Sequence, residues 1–483
     1  MPPEHASPPY QGLSENSVRM LRVLDSSRVS RFQWKILFVA GMGFFTDAYD
    51  LFVIGVAVSL IRPEWNLSTG QVALLNSATL VASAVGAIAF GRIADIVGRK
   101  RIYGYEVLIL VIGALASAFA PGFVWLIVAR IVLGIGIGGD YPVSATIMSE
   151  YSGKAARGRT VGLVFAMQGV GLVLGPLIAS ALLASGLSTD TSWRILLAFG
   201  AVPGLAVFYL RRRIPETPRF ALAGGAVEEA AAAIRHATGT VRAVGPMEES
   251  AARNPQRTLQ GFRTFLRHGR LGRWLVGTAA CWMVFDFAYY GNSISSPEVL
   301  ALLSPRASLL SNTLLQLLIF AVFALPGYAL AIWLADRVGR RSIQTMGFGM
   351  MAVAFGLIAL VPSVAHTVAP FVLLYGMSYL FSEFGPNTTT FIYPAEVFPV
   401  EVRTTGHGLA AAAGKIGGFV GAFLFPVMLA SSMGIRGAEA VAAGLSLLGL
   451  LLTVVLLPEP RGQSLEELTE IAYAPTVPGK VAA

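Results

Sequence analysis

The chain has 483 residues, of which 55% are hydrophobic and 13% charged, with a formal net charge of +9. A soluble domain carries roughly 25% charged residues, so this composition excludes an ordinary water-soluble globular protein. The single Cys281 excludes an intramolecular disulfide, and the five histidines (His5, His236, His268, His366 and His407) fall in predicted tails, loops or helix ends without paired spacing, so neither a metal nor a cofactor is expected.

Residues 1–33 are polar and lack an apolar leader core, so they read as a tail rather than a signal peptide. Apolar stretches of about 20 residues then recur, each long enough to cross a bilayer. They lie at 34–60, 70–92, 102–120, 123–149, 160–184 and 193–211, and again at 273–297, 308–334, 342–361, 367–393, 405–430 and 436–457. The prediction is an all-α integral membrane protein with twelve transmembrane helices in two six-helix halves, 34–211 and 273–457. Between them, 212–272 is polar with helical patches such as "AVEEAAAAIRHA" and reads as a cytoplasmic linker; 458–483 reads as a C-terminal tail.

Even-numbered connections are basic: Arg92, Arg99, Lys100 and Arg101; Lys154, Arg157 and Arg159; Arg337, Arg340 and Arg341. The odd ones hold only Arg62, Arg306 and Arg436. The bias of positive charge toward cytoplasmic loops places both termini and the linker inside. The net charge therefore reflects topology and the lipid bilayer, not nucleic acid.

The fourth stretch ends in "GIGIGGDYPVSATIMSEY" (134–151). Its G-x-G-x-x-G matches a dinucleotide turn, but that turn needs a preceding strand and an acid about 20 residues on. A long apolar helix precedes it here, and Glu150 comes too soon. The glycines read instead as places where helices pack closely.

The halves repeat each other. "GRIADIVGRKR" (91–101) returns as "IWLADRVGRR" (332–341), Glu150 and Arg157 return as Glu396 and Arg403, and "PETPR" (215–219) returns as "PEPR" (458–461). All three marks recur roughly 240 positions later, as expected of a duplicated transporter half. Asp47 then matches Asp286, Tyr141 matches Asn387, and Gln168 matches Lys415, so both sets should meet at one central cavity.

The candidate intramembrane charges are Asp47, Asp50, Glu106, Arg130, Asp140, Asp286, Glu383 and Lys415. Each costs at least ~2.5–3.5 kcal/mol at the bilayer centre, so such residues usually face a cavity and act in transport. Six acids cannot all pair with two bases, and the excess points to proton coupling. Asp47 and Arg130 sit at similar depth and are expected to pair, with Asp50 one turn further on. Glu106 and Asp140 lie toward the inside, as a proton exit would. Glu383 is expected to orient Tyr379 or Asn387. In "CWMVFDFAYY", Trp282, Asp286 and Tyr290 share one helical face, presenting an indole N–H, a carboxyl and a phenol that suit an oxyanion. Asp95, Glu150, Arg157, Asp336, Glu396 and Arg403 stand at helix ends, where inter-half salt bridges and helix-end contacts would close a cytoplasmic gate.

The paired D-x-x-G-R loops and "PETPR" resemble the major facilitator superfamily over nearly the whole chain, and "GGDYPVSATIMSEY" is similar to the signature of its phosphate:proton symporter family. The resemblance implies a proton-coupled inorganic phosphate importer of the cell membrane, working by alternating access. It implies phosphate contacts from Tyr141, Gln168, Trp282, Asp286, Tyr290 and Asn387, with Lys415 and Asp286 as charge partners. Asp47, Asp50, Glu106, Arg130, Asp140 and Asp286 are the expected proton-coupling set. A protonated Asp286 would donate to a phosphate oxygen, making proton and phosphate binding mutually favourable. The alternatives are a sugar or organic-anion transporter of the same fold, or a phosphate receptor with little flux. No nucleophile–base pair suggests an enzyme. Oligomeric state is not legible.

Overall fold

The structure, a computed structural model, describes residues 14–239 and 269–474. The outer parts of both predicted tails, the linker segment 240–268, and with them His5 and His268, lie outside the described residues.

Among the described residues the protein is helical and contains no strand. Eleven helices are long and apolar enough to cross a membrane: Arg31–Glu64, Thr69–Val97, Arg99–Ala118, Phe123–Tyr151, Arg157–Ala184 and Thr189–Arg212, then Leu309–Val338, Arg340–Leu360, Val368–Val397, Arg403–Ala430 and Gly434–Leu456. A twelfth, Gly269–Ile294, has 26 residues, enough to cross at about 1.5 Å per residue. It is less apolar because its inner face is polar. In chain order these are spans one to twelve, with Gly269–Ile294 as span seven.

The starts follow local chemistry. Ser30 and Gln33 form a reciprocal capping box at span one, and Ser68 and Gln71 form another at span two. Span three bends at Gly104, which has φ +108°; the Glu106 carboxylate accepts from its N–H at 2.7 and 2.9 Å. Spans eight and ten each contain a π-helical turn, Phe320–Ala324 and Glu383–Asn387, the second built around Pro386. Such turns occur frequently at functional sites.

The sequence repeat becomes a structural one. Span one packs on span five and span seven on span eleven within the halves; span two packs on eleven and span five on eight between them. Gly98 and Gly339 both have φ +104°. Glu216 accepts from the Lys100 N–H at 3.2 Å, and Glu459 accepts from those of Arg340 and Arg341 at 3.0 Å. Each "PE" motif thus caps the helix that follows its own D-x-x-G-R loop.

The glycines of 134–139 pack helices. A Cβ on Gly138 would meet the Ser83 carbonyl at 1.9 Å, and one on Gly134 the Thr79 carbonyl at 2.4 Å. Span four therefore lies directly against span two, and no nucleotide-binding turn exists there.

One face of the bundle, the basic one, carries three added layers. Helix Glu15–Ser26 buries Met20 and Leu21 against Ala221, Leu222, Val227, Ala230, Ala231 and Ile234. These belong to helices Pro218–Ala223 and Val227–Thr238, so the start of the linker is packed rather than a free tether. Helix Leu465–Tyr473 packs beside them through Arg219, which pairs with Glu466 at 2.9 Å and with Asp25 at 2.7 Å.

Candidate functional site

Midway along the spans, seven polar residues converge: Tyr141 (span four), Gln168 (five), Trp282, Asp286 and Tyr290 (seven), Asn387 (ten) and Lys415 (eleven). None is more than 3% exposed. Lys415 Nζ donates to the Tyr290 phenol at 2.7 Å and to the Tyr141 phenol at 3.1 Å. It stands 3.5 Å from Asp286 Oδ2, a loose ion pair without hydrogen-bond geometry. Gln168 Nε2 donates to Tyr141 at 3.3 Å, and Asn387 Nδ2 donates to Gln168 Oε1 at 3.2 Å. The Trp282 ring lies 6.0 Å from that of Tyr141. The two halves therefore share one hydrogen-bonded cluster, with a cation and a carboxyl at its centre.

Aromatic residues enclose the cluster on both sides. Toward the basic face, Phe44 and Phe165 meet Phe391 of the other half at ring distances of 4.9 and 4.5 Å. Toward the opposite face, Phe52 stacks on Tyr290 at 5.6 Å and meets Tyr289 and Phe320. The site is held shut from both directions.

Several residues here were not legible in the sequence. The Tyr328 phenol (span eight) donates to Gln168 Oε1 at 2.8 Å and accepts from Asn387 at 2.9 Å. Glu383 does orient Asn387, which donates to its Oε2, but its other partner is Tyr289 at 2.7 Å rather than Tyr379. His407, read as a helix-end residue, is buried in span eleven against the Trp282 ring at 5.6 Å. Tyr328 and Tyr289 have no sequence signal beyond being tyrosines in apolar helices. His407 does: it lies eight residues before Lys415, on the same face.

The proton-coupling candidates divide differently from expectation. Arg130 does not pair with Asp47. Its Nη2 donates to the backbone carbonyl of Asp50 at 2.7 Å, and neither Asp47 oxygen has a hydrogen-bond partner. Asp50 lies one turn beyond Asp47 on the same face of span one, and Arg130 meets the helix at that later turn, through the Asp50 carbonyl. Glu106 and Asp140 do sit together, joined by a residue that sequence reading missed. Arg211, at the end of span six, donates to Glu106 at 2.9 Å and to both oxygens of Asp140 at 2.7 and 2.8 Å. It is fully buried. In sequence it is the last residue before the linker, and neither it nor the buried Glu439 of span twelve is among the intramembrane charges expected above.

At the basic face, Asp95 accepts from the N–H groups of Thr404 and Thr405 at 3.3 and 2.6 Å, across the halves. Its counterpart Asp336 accepts from those of Gly158 and Arg159 at 3.1 and 2.9 Å. Glu150 pairs with Arg403 of the other half at 3.0 Å and with Arg99 at 3.2 Å. Glu396 pairs within its own half, with Arg340 at 2.7 Å, and Arg157 turns to Asp25 at 3.1 Å. Four of the six helix-end residues thus contact the opposite half directly.

A family model described as "Sugar (and other) transporter" matches residues 36–472. Inorganic phosphate transporter 1-6 of Oryza sativa subsp. japonica is 36% identical, over 96% of this chain and 97% of its own. Putative inorganic phosphate transporter 1-13 of the same plant is 38% identical over 94% of each, and inorganic phosphate transporter 1-1 of Arabidopsis thaliana 34% over 95% and 98%. Among solved structures, the proton:xylose symporter XylE bound to 6-bromo-6-deoxy-D-glucose superposes with a TM-score of 0.76 at 21% identity, covering 92% of this chain and all of that one. Matched along nearly its full length, with its two repeated halves closed around one central cluster, this chain belongs to the sugar (and other) transporter family.

Proposed function

We propose that the protein is a proton-coupled inorganic phosphate importer that works by alternating access, lies in the cell membrane and keeps both termini in the cytoplasm. The observation that carries this reading is the placement of Lys415 between the phenols of Tyr141 and Tyr290 and within 3.5 Å of Asp286. The cation and the neutral donors of Trp282, Tyr141, Tyr290, Gln168 and Asn387 suit an oxyanion. A carboxyl in the same cluster suits one only when it carries a proton, since a charged Asp286 would repel phosphate. The plant relatives, named as inorganic phosphate transporters, support the substrate.

In this reading phosphate and a proton enter together, the Phe52 ring closes above them, and release of the basic-face contacts opens the Phe44–Phe165–Phe391 ring below. Lys415 turns to phosphate while it is bound and to Asp286 once it has left. Asp47, Asp50 with Arg130, and Glu106 with Asp140 and Arg211 carry the proton through the N-terminal half. Asp95, Glu150, Asp336 and Arg403, supported by Arg157 and Glu396, hold the inner gate.

The test is uptake of labelled phosphate into proteoliposomes under an imposed pH gradient, with xylose and organic anions as competitors. Uptake should rise with an inward proton gradient, collapse with a protonophore and resist both competitors. Uptake indifferent to the gradient would leave a uniporter or exchanger; inhibition by xylose would transfer the site to sugars.

A further inference from the structure

Two further buried acids lie in the C-terminal half: Glu439 near its outer end and Glu383 at the edge of the central cluster. Span ten places Tyr375, Tyr379 and Glu383 four residues apart on one face, and its π-helical turn brings Asn387 against Glu383. Near the face opposite the basic one, Asn292 Nδ2 lies 3.4 Å from Oε2 of Glu439. The other oxygen of Glu439 has no hydrogen-bond partner, although the residue is fully buried. Tyr375 donates to the Asn292 carbonyl at 2.9 Å. Ser296 Oγ lies 3.0 Å from the Tyr375 phenol and 3.3 Å from that of Tyr379. Further in, Tyr289 donates to Glu383, and Glu383 holds Asn387, a member of the central cluster.

Among the described residues no cation is in contact with either acid. The groups around Glu439 are Asn292 of span seven and Tyr375 and Tyr379 of span ten; Arg436, one turn away on its own helix, donates instead to the Ala359 carbonyl at 2.9 Å. Around Glu383 stand Tyr289, Tyr328 and Asn387, while Lys415 is held by Tyr141 and Tyr290. Among the described residues neither glutamate makes an ion pair. An unpaired buried carboxylate is costly, so an acid kept in such a place is suited to hold a proton.

We propose that Glu439 and Glu383 form a second proton-binding column, loaded at Glu439 from the outer side and ending at Glu383 against the substrate cluster. The proposal rests on the symport reading above and adds a proton site that the N-terminal set does not supply. The run of hydroxyls is open at both ends: Glu439 meets it only through Asn292, whose side-chain amide bonds the acid and whose carbonyl accepts from Tyr375, and between Tyr379 and Glu383 the Tyr289 ring stands 6.2 Å from that of Tyr379. Tyr289 also contacts Phe52 in the outer aromatic ring. Opening that ring therefore moves the group that separates the two acids. The proton passes from outer water to Glu439, across the Tyr375, Ser296 and Tyr379 hydroxyls, and rests on Glu383, whose protonation state sets what Asn387 donates to.

The test uses the full chain in proteoliposomes with labelled phosphate and an internal pH dye, comparing wild type, Glu439→Gln and Glu383→Gln. Phosphate–phosphate exchange at equal pH moves no net proton and reports folding and substrate binding. For Glu439→Gln, exchange should stay within about twofold of wild type, while the ratio of protons to phosphate falls by one and gradient-driven accumulation drops. Glu383→Gln should show the same lower ratio. If Glu439→Gln fails to assemble, Tyr375→Phe, which keeps the ring and removes the hydroxyl, should slow coupled uptake while sparing exchange. A wild-type ratio with full accumulation in Glu439→Gln, or unslowed coupled uptake in Tyr375→Phe, overturns the column. A wild-type protein that ignores the pH gradient overturns the symport reading itself.

Discussion

Asp95 Oδ2 accepts both the N–H and the hydroxyl of Thr405 at 2.6 Å, and so caps a helix belonging to the other half of the protein. A carboxylate at a helix start meets the positive end of the helix dipole and its free N–H groups. Asp336 makes the mirrored contact with the start of span five. Two acids thus cap helices across the seam between the halves.

Asp95→Asn should loosen that closure by about 0.3–2 kcal/mol, the range for a charge at a helix terminus. Ser149 Oγ donates to the Ala395 carbonyl across the same seam at 2.8 Å, so a Ser149→Cys reporter should label faster in the Asp95→Asn background. Phosphate binding at equilibrium should change little. Unchanged labelling would mean that Asp95 does not hold the gate.

Asp286 is predicted to couple the proton to the substrate. Asp286→Asn keeps the size and a donor but cannot release a proton. Loss of a hydrogen bond to a charged group costs ~1.5–3 kcal/mol, which Asn avoids, so binding should survive while accumulation fails. Wild-type affinity should weaken as pH rises, beyond what phosphate's own titration explains. The Asn variant should lack that extra slope. Matching pH profiles with intact coupled uptake would move the coupling role to Asp47.

The Arg211 cluster depends on a glycine. A Cβ on Gly43 would stand 1.9 Å from Asp140 Oδ2 and 2.0 Å from Arg211 Nη2. Gly43→Ala must therefore push a buried ion pair apart, and breaking such a pair costs about 3–5 kcal/mol. Thermal stability and uptake should both fall. Gly70→Ala, whose Cβ would meet nothing within 4 Å, serves as the control and should match wild type. A Gly43→Ala protein as stable and active as the control would show that the cluster adapts freely.

Outside the membrane, Glu466 gives a pH-dependent tie between the C-terminal helix and the rest of the basic face. Burial alone would raise its pKa, but Arg219 and Arg157 bring it down to about 2 from an ordinary 4.5. A depressed carboxyl stabilises fully above its unfolded value, and that stability is lost as pH falls through the folded value. Glu466→Gln should therefore weaken docking by about 1–3 kcal/mol at neutral pH. The difference from wild type should shrink as pH drops from about 4.5 toward 2. Hydrogen exchange over residues 465–473 reads this out; equal protection at neutral pH in both proteins would dismiss the tie.

The span pattern, the duplicated halves and the shared face of Trp282, Asp286 and Tyr290 were legible in the sequence from short-range rules, whereas Tyr141, Gln168 and Asn387 as cluster members are what the family resemblance implies. Bilayer thickness sets the length of an apolar run, and helical periodicity puts Trp282, Asp286 and Tyr290 on one face. The repeat then pairs Tyr141 with Asn387 and Gln168 with Lys415. Which charge meets which was decided only by tertiary structure. Arg130 and Asp47 were expected at one depth, yet Arg130 meets span one a turn further along, at the Asp50 carbonyl, and leaves Asp47 without a hydrogen bond. Arg211 looked like the edge of a linker; only the packing of span six beside spans three and four buries it against Glu106 and Asp140. Depth along a helix can be counted from sequence, whereas the azimuth at which one helix faces another depends on how all twelve pack together.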